Sequence, residues 1–181
     1  MKTLTLLRHA KSSWDDPVAR DFDRALNKRG IRGARLMGEY IRREGLDYDH
    51  IISSPAVRCT ETLDHLYEGL GRTFHPNWDR RVYLASCVTL LDVVNEAPDS
   101  AAHILMCGHN PGLEDLILLL VPDVAGDILR DAVEEKLPTA ALATLQFDVD
   151  HWADVKSNSG RFMRLKRPRD LDPGLGPDID G

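Results

Sequence analysis

Residues 3–7 (TLTLL) form a short apolar run that predicts a largely buried strand, and it ends abruptly at Arg8-His9-Ala10. A polar, Asp-rich stretch follows to about Leu26 and reads as a long loop. Apolar positions then return at helical spacing, with Ile31, Ala34, Met37 and Ile41 behind a capping Asn27 and before a terminating Gly45. Residues 50–53 predict a second strand. Ser54-Pro55 offers a hydroxyl cap and a first-turn proline for a helix carrying Val57, Leu63, Leu66, Tyr67 and Leu70 and stopping near Gly69–Gly71.

Around Val82–Ala85 the pattern allows a short strand or a loop, and Ser86 can cap a helix to about Ala97. Residues 102–107 (AHILMC) are the clearest buried strand. They lead into Gly108-His109-Asn110-Pro111, where Asn110 can cap a helix beginning at Pro111 and running to about Leu120. Residues 140–148 and 160–166 predict a hairpin around a 149–159 loop. The stretch 168–181, rich in Pro, Gly and Asp, reads as a flexible tail beyond a single domain over 1–167. Alternating strands and helices without repeats or a linker predict a three-layer α/β/α sandwich, its central sheet mostly parallel with an antiparallel edge strand.

Composition narrows the classes. With 181 residues, 43% hydrophobic and 29% charged, the chain can bury one sizeable core. A formal charge of −6 argues against nucleic acid or an anionic membrane as partner unless the basic residues gather at one place. The longest apolar run, Leu116 to Val121, is far short of the roughly 20 residues a membrane span needs. Cys59, Cys87 and Cys107 are odd in number and show no CxxC spacing, so free thiols in a cytoplasmic protein are expected, with Cys107 a core residue. No metal-ligand cluster and no cofactor motif is visible.

Three places share one design: a strand ends, a polar motif follows, and a helix or loop begins. In an open parallel sheet, ligands bind beyond the carboxyl ends of the strands. Arg8-His9, Arg58 and Gly108-His109-Asn110 would all project there. Each has a plainer reading: a surface Arg beside a structural His, an Arg58 salt bridge to Asp or Glu, a His109 hydrogen-bonded beneath its loop. Arg58 lies in the first turn of its helix, where the dipole favours an anion, so an arginine there suggests a phosphate or carboxylate partner. Two His and two Arg at one sheet edge form a site for a dianionic phosphoryl group. Arginine matches phosphate oxygens bidentately, and a neutral imidazole can attack phosphorus to give a covalent intermediate.

The stretches LLRHAKSSW (6–14), DFDRALNKRG (21–30), SSPAVRCTETL (53–63), GHNPGLEDL (108–116) and KLPTAALATLQF (136–147) together resemble the histidine phosphatase superfamily, which is phosphoglycerate mutase-like in fold. More narrowly, they resemble its SixA-type phosphohistidine phosphatase branch, over about residues 1–167. The resemblance implies His9 as the phosphorylated nucleophile and Arg8, Arg58 and His109 as the rest of the phosphate pocket. Ser12 and Asn110 lie beside it as candidate substrate contacts. It further implies hydrolysis without metal or cofactor, on a phosphorylated substrate such as a phosphohistidine-bearing protein.

Two positions depart from the pattern. Ala10 stands where the superfamily usually has Gly, which suits a backbone that is not left-handed. Larger members use a Glu as general acid, and none matches near Arg80–Ala85; Asp21, Asp23 and Tyr83 are the available stand-ins. Lys11, Arg20, Arg24, Lys28 and Arg29 could form a basic rim for an acidic partner, or simply a solvated face. A phosphatase of a small metabolite, a non-catalytic phosphate-binding module and a metal hydrolase using His9 and His109 are the competing readings.

Overall fold

In a strand, successive side chains point to opposite faces, so an uninterrupted apolar run needs cover on both sides. The first strand, β1 (Lys2–Arg8), meets that demand: Leu4 and Leu6 enter one core and Leu7 the other, all fully buried. The computed structural model describes residues 1–17 and 19–176. After β1 come α1 (Lys28–Glu44), β2 (His50–Ser53), α2 (Val57–Leu70), β3 (Asn77–Trp78), α3 (Cys87–Asn95), β4 (His103–Gly108) and α4 (Gly112–Leu120). The chain continues through α5 (Ile128–Glu135), β5 (Leu142–Phe147), β6 (Gly160–Lys166) and α6 (Pro168–Leu171).

The strands form one sheet in the order β3-β2-β4-β1-β5-β6. Pairings from β3 through β1 are parallel; β5 runs against both β1 and β6, confining antiparallel pairing to one side of the sheet. Helices α1 and α2 cover one face through Met37, Ile41, Leu63 and Leu66 against Leu7, Ile51 and Leu105. Helices α3, α4 and α5 cover the other through Leu90, Leu116, Ile117 and Val133 against Leu4, Leu6, Ile104 and Met106. This is the three-layer sandwich that the alternation of elements predicts.

Local chemistry sets the helix limits. The Asn27 side chain accepts from the Gly30 amide at 2.9 Å, a cap worth about 1 kcal/mol, and Gly45 ends α1 in a left-handed turn at φ 65°. Helices α1 and α2 cross so closely at Gly38 that an added Cβ there would lie 2.0 Å from the Leu66 carbonyl oxygen.

Several elements differ from the sequence pattern. Helix α5 and the two-residue β3 carry too few periodic apolar positions to be seen; α5 buries only Arg130 and Val133. Arg80–Val82 is a 3-10 turn, and Leu84 after it is left-handed at φ 49°. Helix α2 begins at Val57 rather than Pro55, with Ala56 at the cap position and the Ser54 hydroxyl accepting from the Ala56 amide ahead of the helix. Helix α4 begins at Gly112, and Asn110 does not cap it. Within 168–181, read from composition as a flexible tail, α6 buries Pro168, and Arg29 bonds the carbonyls of Gly174 at 3.2 Å and Gly176 at 3.1 Å. Contacts with α1 therefore hold this segment; residues 177–181 lie outside the described residues. Among the described residues no helix is long and apolar enough to cross a membrane.

The sheet's polarity decides where polar ends gather. Arg8 pairs with Gly108 and Ser53 with Cys107, so β1, β2 and β4 stop at one edge. Because β5 runs the opposite way, with Leu142 opposite Leu7, the loop 136–141 that enters it arrives at that same edge.

Candidate active site

Arg8, His9, Ser12, Arg58, His109 and Asn110 all line one pocket of about 230 Å³ beyond this edge, together with Lys11, Trp14, Asp21, Arg24, Leu84 and Thr139. Its floor is made of strand ends, and its walls come from the loop after β1 and the starts of α2 and α4.

His9 is held by its main chain: its amide donates to the Gly108 carbonyl at 3.1 Å, and its carbonyl accepts from the Ala140 amide at 3.0 Å. The ring's Nδ1 lies 2.8 Å from the Ala10 carbonyl oxygen. That oxygen can only accept, so Nδ1 carries the proton and Nε2 presents a lone pair without a partner among the described residues. Burial, foremost, holds the His9 pKa well below the usual histidine range, and the charges of His109, Arg8 and Arg58 add to this against the Ala10 bond. His9 is therefore a neutral base at neutral pH. Ala10 is not among the residues with positive φ, so alanine carries no backbone strain at this position.

The ring of His109 stands 5.3 Å from that of His9, tilted by 54°. Its Nε2 lies 2.8 Å from Ser54 Oγ, which also accepts from the Ala56 amide at 3.2 Å. Arg8 donates from Nη1 to the Leu137 carbonyl at 3.0 Å. Arg58, 2% exposed, donates from Nη1 to the Asp21 carbonyl at 2.7 Å and from Nη2 to Asp21 Oδ2 at 3.0 Å. The salt bridge that is the plainer reading of Arg58 is thus present, yet among the described residues Arg8 Nε, Arg58 Nε and His109 Nδ1 are buried without partners.

The three stand-ins for a proton donor separate. Asp23 pairs with exposed Arg20 and does not line the pocket. Asp21 accepts from Tyr83, Arg58 and Arg24. Burial works to raise its pKa, but hydrogen bonds from Tyr83 and Arg58 outweigh it and hold the carboxyl at about 2. Asp21 is accordingly ionised, and Tyr83, pushed up by burial and by Asp21, stays a phenol. Tyr83 also sets its ring edge-on to His109 at 5.4 Å.

Ser12 and Asn110 are engaged within the fold. Ser12 Oγ accepts from Arg24, whose guanidinium lies 3.7 Å from the exposed Trp14 ring. Asn110 donates to Glu114 Oε1 and to the Leu137 carbonyl, both at 2.8 Å, and its Oδ1 is left buried and unpaired. Of the basic rim, Lys11 and Arg24 line the pocket; Arg20, Lys28 and Arg29 do not.

Two supporting residues carried no sequence signal. Fully buried Thr62 accepts from the Ala10 amide at 2.8 Å and donates to the Arg58 carbonyl at 2.6 Å, tying the histidine loop to α2. Glu114 accepts from the Leu137 amide at 2.8 Å, fixing the loop that holds Arg8. Cys59 and Cys107 are buried free thiols, and Cys59 Sγ lies 3.7 Å from His109 Nε2. Among the described residues no group of three or more His, Cys, Asp or Glu is placed to hold a metal ion.

Comparison with known proteins agrees with this picture. The profile of the histidine phosphatase superfamily (branch 1) matches residues 4–80. An uncharacterised protein of Mycobacterium tuberculosis is 32% identical over 164 residues, covering 90% of this chain and all of that protein. The crystal structure of SixA from Agrobacterium tumefaciens superposes with a TM-score of 0.76 at 26% identity, covering 92% of this chain and 98% of that one. The protein histidine phosphatase SixA complexed with tungstate shares the fold, with a TM-score of 0.72 at 20% identity and coverage of 94% and 99%. The chain belongs to the histidine phosphatase superfamily, in its SixA-type branch, and is a phosphatase.

Proposed function

We propose that the protein is a metal-independent phosphohydrolase that works through a phosphohistidine on His9 Nε2, and that its substrate is a phosphohistidine side chain of another protein. The observation that carries the first part is the His9 ring itself, neutral and aligned by the Ala10 carbonyl with Nε2 left open. The lone pair of Nε2 attacks phosphorus as the bond to the leaving nitrogen or oxygen breaks. Water then attacks the phosphoenzyme, the N–P bond breaks, and inorganic phosphate and free His9 are regenerated. Arg8, Arg58 and His109 stabilise the charge on the transferring oxygens. All three residues line the pocket, so a bound oxyanion meets two guanidinium groups and an imidazole there, while Arg8 Nε, Arg58 Nε and His109 Nδ1 themselves are buried and unpaired among the described residues. Tungstate in the related SixA complex is an oxyanion of that kind.

Two features favour phosphohistidine. The carboxylate that lines the pocket, Asp21, is ionised and donates no proton, which suits a phosphoramidate whose leaving nitrogen can itself be protonated. The pocket is also edged by Trp14 and Leu84, 72% and 55% exposed, leaving its mouth open to a side chain presented by a protein. The test compares wild type and His9→Ala, with chelator present, on a phosphohistidine protein and on an aryl phosphate. Turnover by wild type alone, faster on phosphohistidine, is the expected result. Cleavage of phosphomonoesters only would transfer the substrate to small metabolites; phosphate binding without turnover would make the protein a binding module.

A further inference from the structure

A second cavity, of about 140 Å³, adjoins the phosphoryl pocket and shares Lys11 and Thr139 with it. It lies between the start of α1, the loop 136–140 and the segment 167–176. Five of its lining residues are cations and one, Glu135, is a carboxylate, the reverse of the chain's overall charge of −6.

The cations divide by what they already do. Arg167 is paired with Asp170, and Arg29 bonds the carbonyls of Gly174 and Gly176. Lys136 and Arg169 have neither an ion pair nor a side-chain hydrogen bond among the described residues, and the Thr139 hydroxyl is likewise unbonded. Lys136 also sits in the field of like charges: after burial, Arg8 and Lys11 are what lower its pKa, with Glu114 opposing. Uncompensated cations gathered around a concavity focus the field on an anion.

The loop bearing Lys136 and Thr139 is not free to drift from the phosphoryl pocket. Leu137 accepts from Arg8 and donates to Glu114, and the Ala140 amide donates to the carbonyls of both Arg8 and His9, each at 3.0 Å. Anything held here is therefore held in fixed relation to His9.

We propose that Lys11, Lys136, Thr139 and Arg169 form a second anion subsite, which selects substrates bearing a further phosphate or carboxylate beside the phosphoryl group that is transferred. The inference rests on the reading of the first pocket as the phosphoryl site. Lysine and arginine donate charge-assisted hydrogen bonds to either kind of anion, and Thr139 adds a neutral donor.

The test uses non-hydrolysable phosphonates and calorimetric binding to the wild-type protein. Methylphosphonate occupies only the first pocket. Bisphosphonates and carboxyalkyl phosphonates, each with linkers of increasing length, probe the second and separate a phosphate from a carboxylate preference. At least one linker length should bind about tenfold tighter than methylphosphonate. Lys136→Gln should remove most of that gain and Lys136→Glu all of it, with methylphosphonate affinity retained to within about twofold in Lys136→Gln; Thr139→Val should weaken the gain in part. If no two-anion ligand binds tighter than methylphosphonate, or the gain survives Lys136→Glu, there is no second subsite, and the phosphohydrolase reading stands untouched. If methylphosphonate itself fails to bind, the first pocket is misread and the second subsite falls with it.

Discussion

Asp21 and Arg58 are locked together twice, through the main-chain oxygen of Asp21 at 2.7 Å from Nη1 and through its carboxylate at 3.0 Å from Nη2. The guanidinium that should meet a phosphoryl group is thus partly neutralised in the free protein. A phosphate dianion entering the pocket feels the Asp21 charge as repulsion. Asp21→Asn keeps the shape and removes that charge, so inorganic phosphate should bind about three- to tenfold tighter, as titration calorimetry would show. Unchanged or weaker binding would mean that Asp21 serves chiefly to position Arg58.

Protonation of His9 sets a second expectation. Its pKa in the folded protein lies well below that of the unfolded chain, about 6.5. The folded state therefore binds fewer protons in that window. The stability linked to a neutral His9 is complete above about pH 6.5 and is lost as pH falls from there toward the folded pKa. Thermal melting of wild type should drop between about pH 7 and pH 5 by more than that of His9→Ala, and the acid limb of the rate profile should lie below the ordinary histidine range. Parallel melting curves for the two proteins would show that His9 titrates normally.

Thr62 offers a structural test with a functional consequence. Thr62→Val leaves the buried Ala10 amide without its acceptor, at about 1–3 kcal/mol by denaturant titration. Because Ala10 also carries the oxygen that aligns His9, kcat should fall more than KM rises. Thr62→Ser, which keeps the hydroxyl, should restore most of both.

The closeness of α1 and α2 yields a prediction confined to stability. Gly38→Ala would set a methyl group against the Leu66 carbonyl oxygen and force the helices apart, costing about 1–3 kcal/mol. Gly45→Ala, where nothing lies within 4 Å, meets no such contact and pays only for its left-handed backbone.

Every strand but β3 and most of the helices were legible because their patterns are local: the continuous apolar runs of β1 and β4 and the 3.6-residue spacing in α1 each follow from a few consecutive residues. So was the convergence of Arg8, His9, Arg58 and His109, since each stands where a strand ends or a helix begins on a parallel sheet. Thr62 and Glu114 were hidden because their hydrogen bonds reach Ala10 and Leu137, 52 and 23 positions away, and a buried threonine or a helix glutamate looks ordinary in sequence. Ser54 and Asn110 were misjudged as helix caps for a related reason. The Ser54 hydroxyl meets distant His109 besides the nearby Ala56 amide, and the Asn110 amide group meets Glu114 one turn on and distant Leu137. Helix α5 went unseen because it is eight residues long and lies against the core with a single buried apolar side chain.

The most direct test of the account is to trap the phosphoenzyme. Wild type and His9→Ala would be mixed with a substrate labelled in its phosphoryl group and quenched in alkali, where phosphohistidine survives, and the label mapped by peptide mass. The account predicts one labelled residue, His9, in wild type, at stoichiometry approaching one, and no label in His9→Ala. Label on another residue, or turnover by His9→Ala at a rate comparable to wild type, would contradict it.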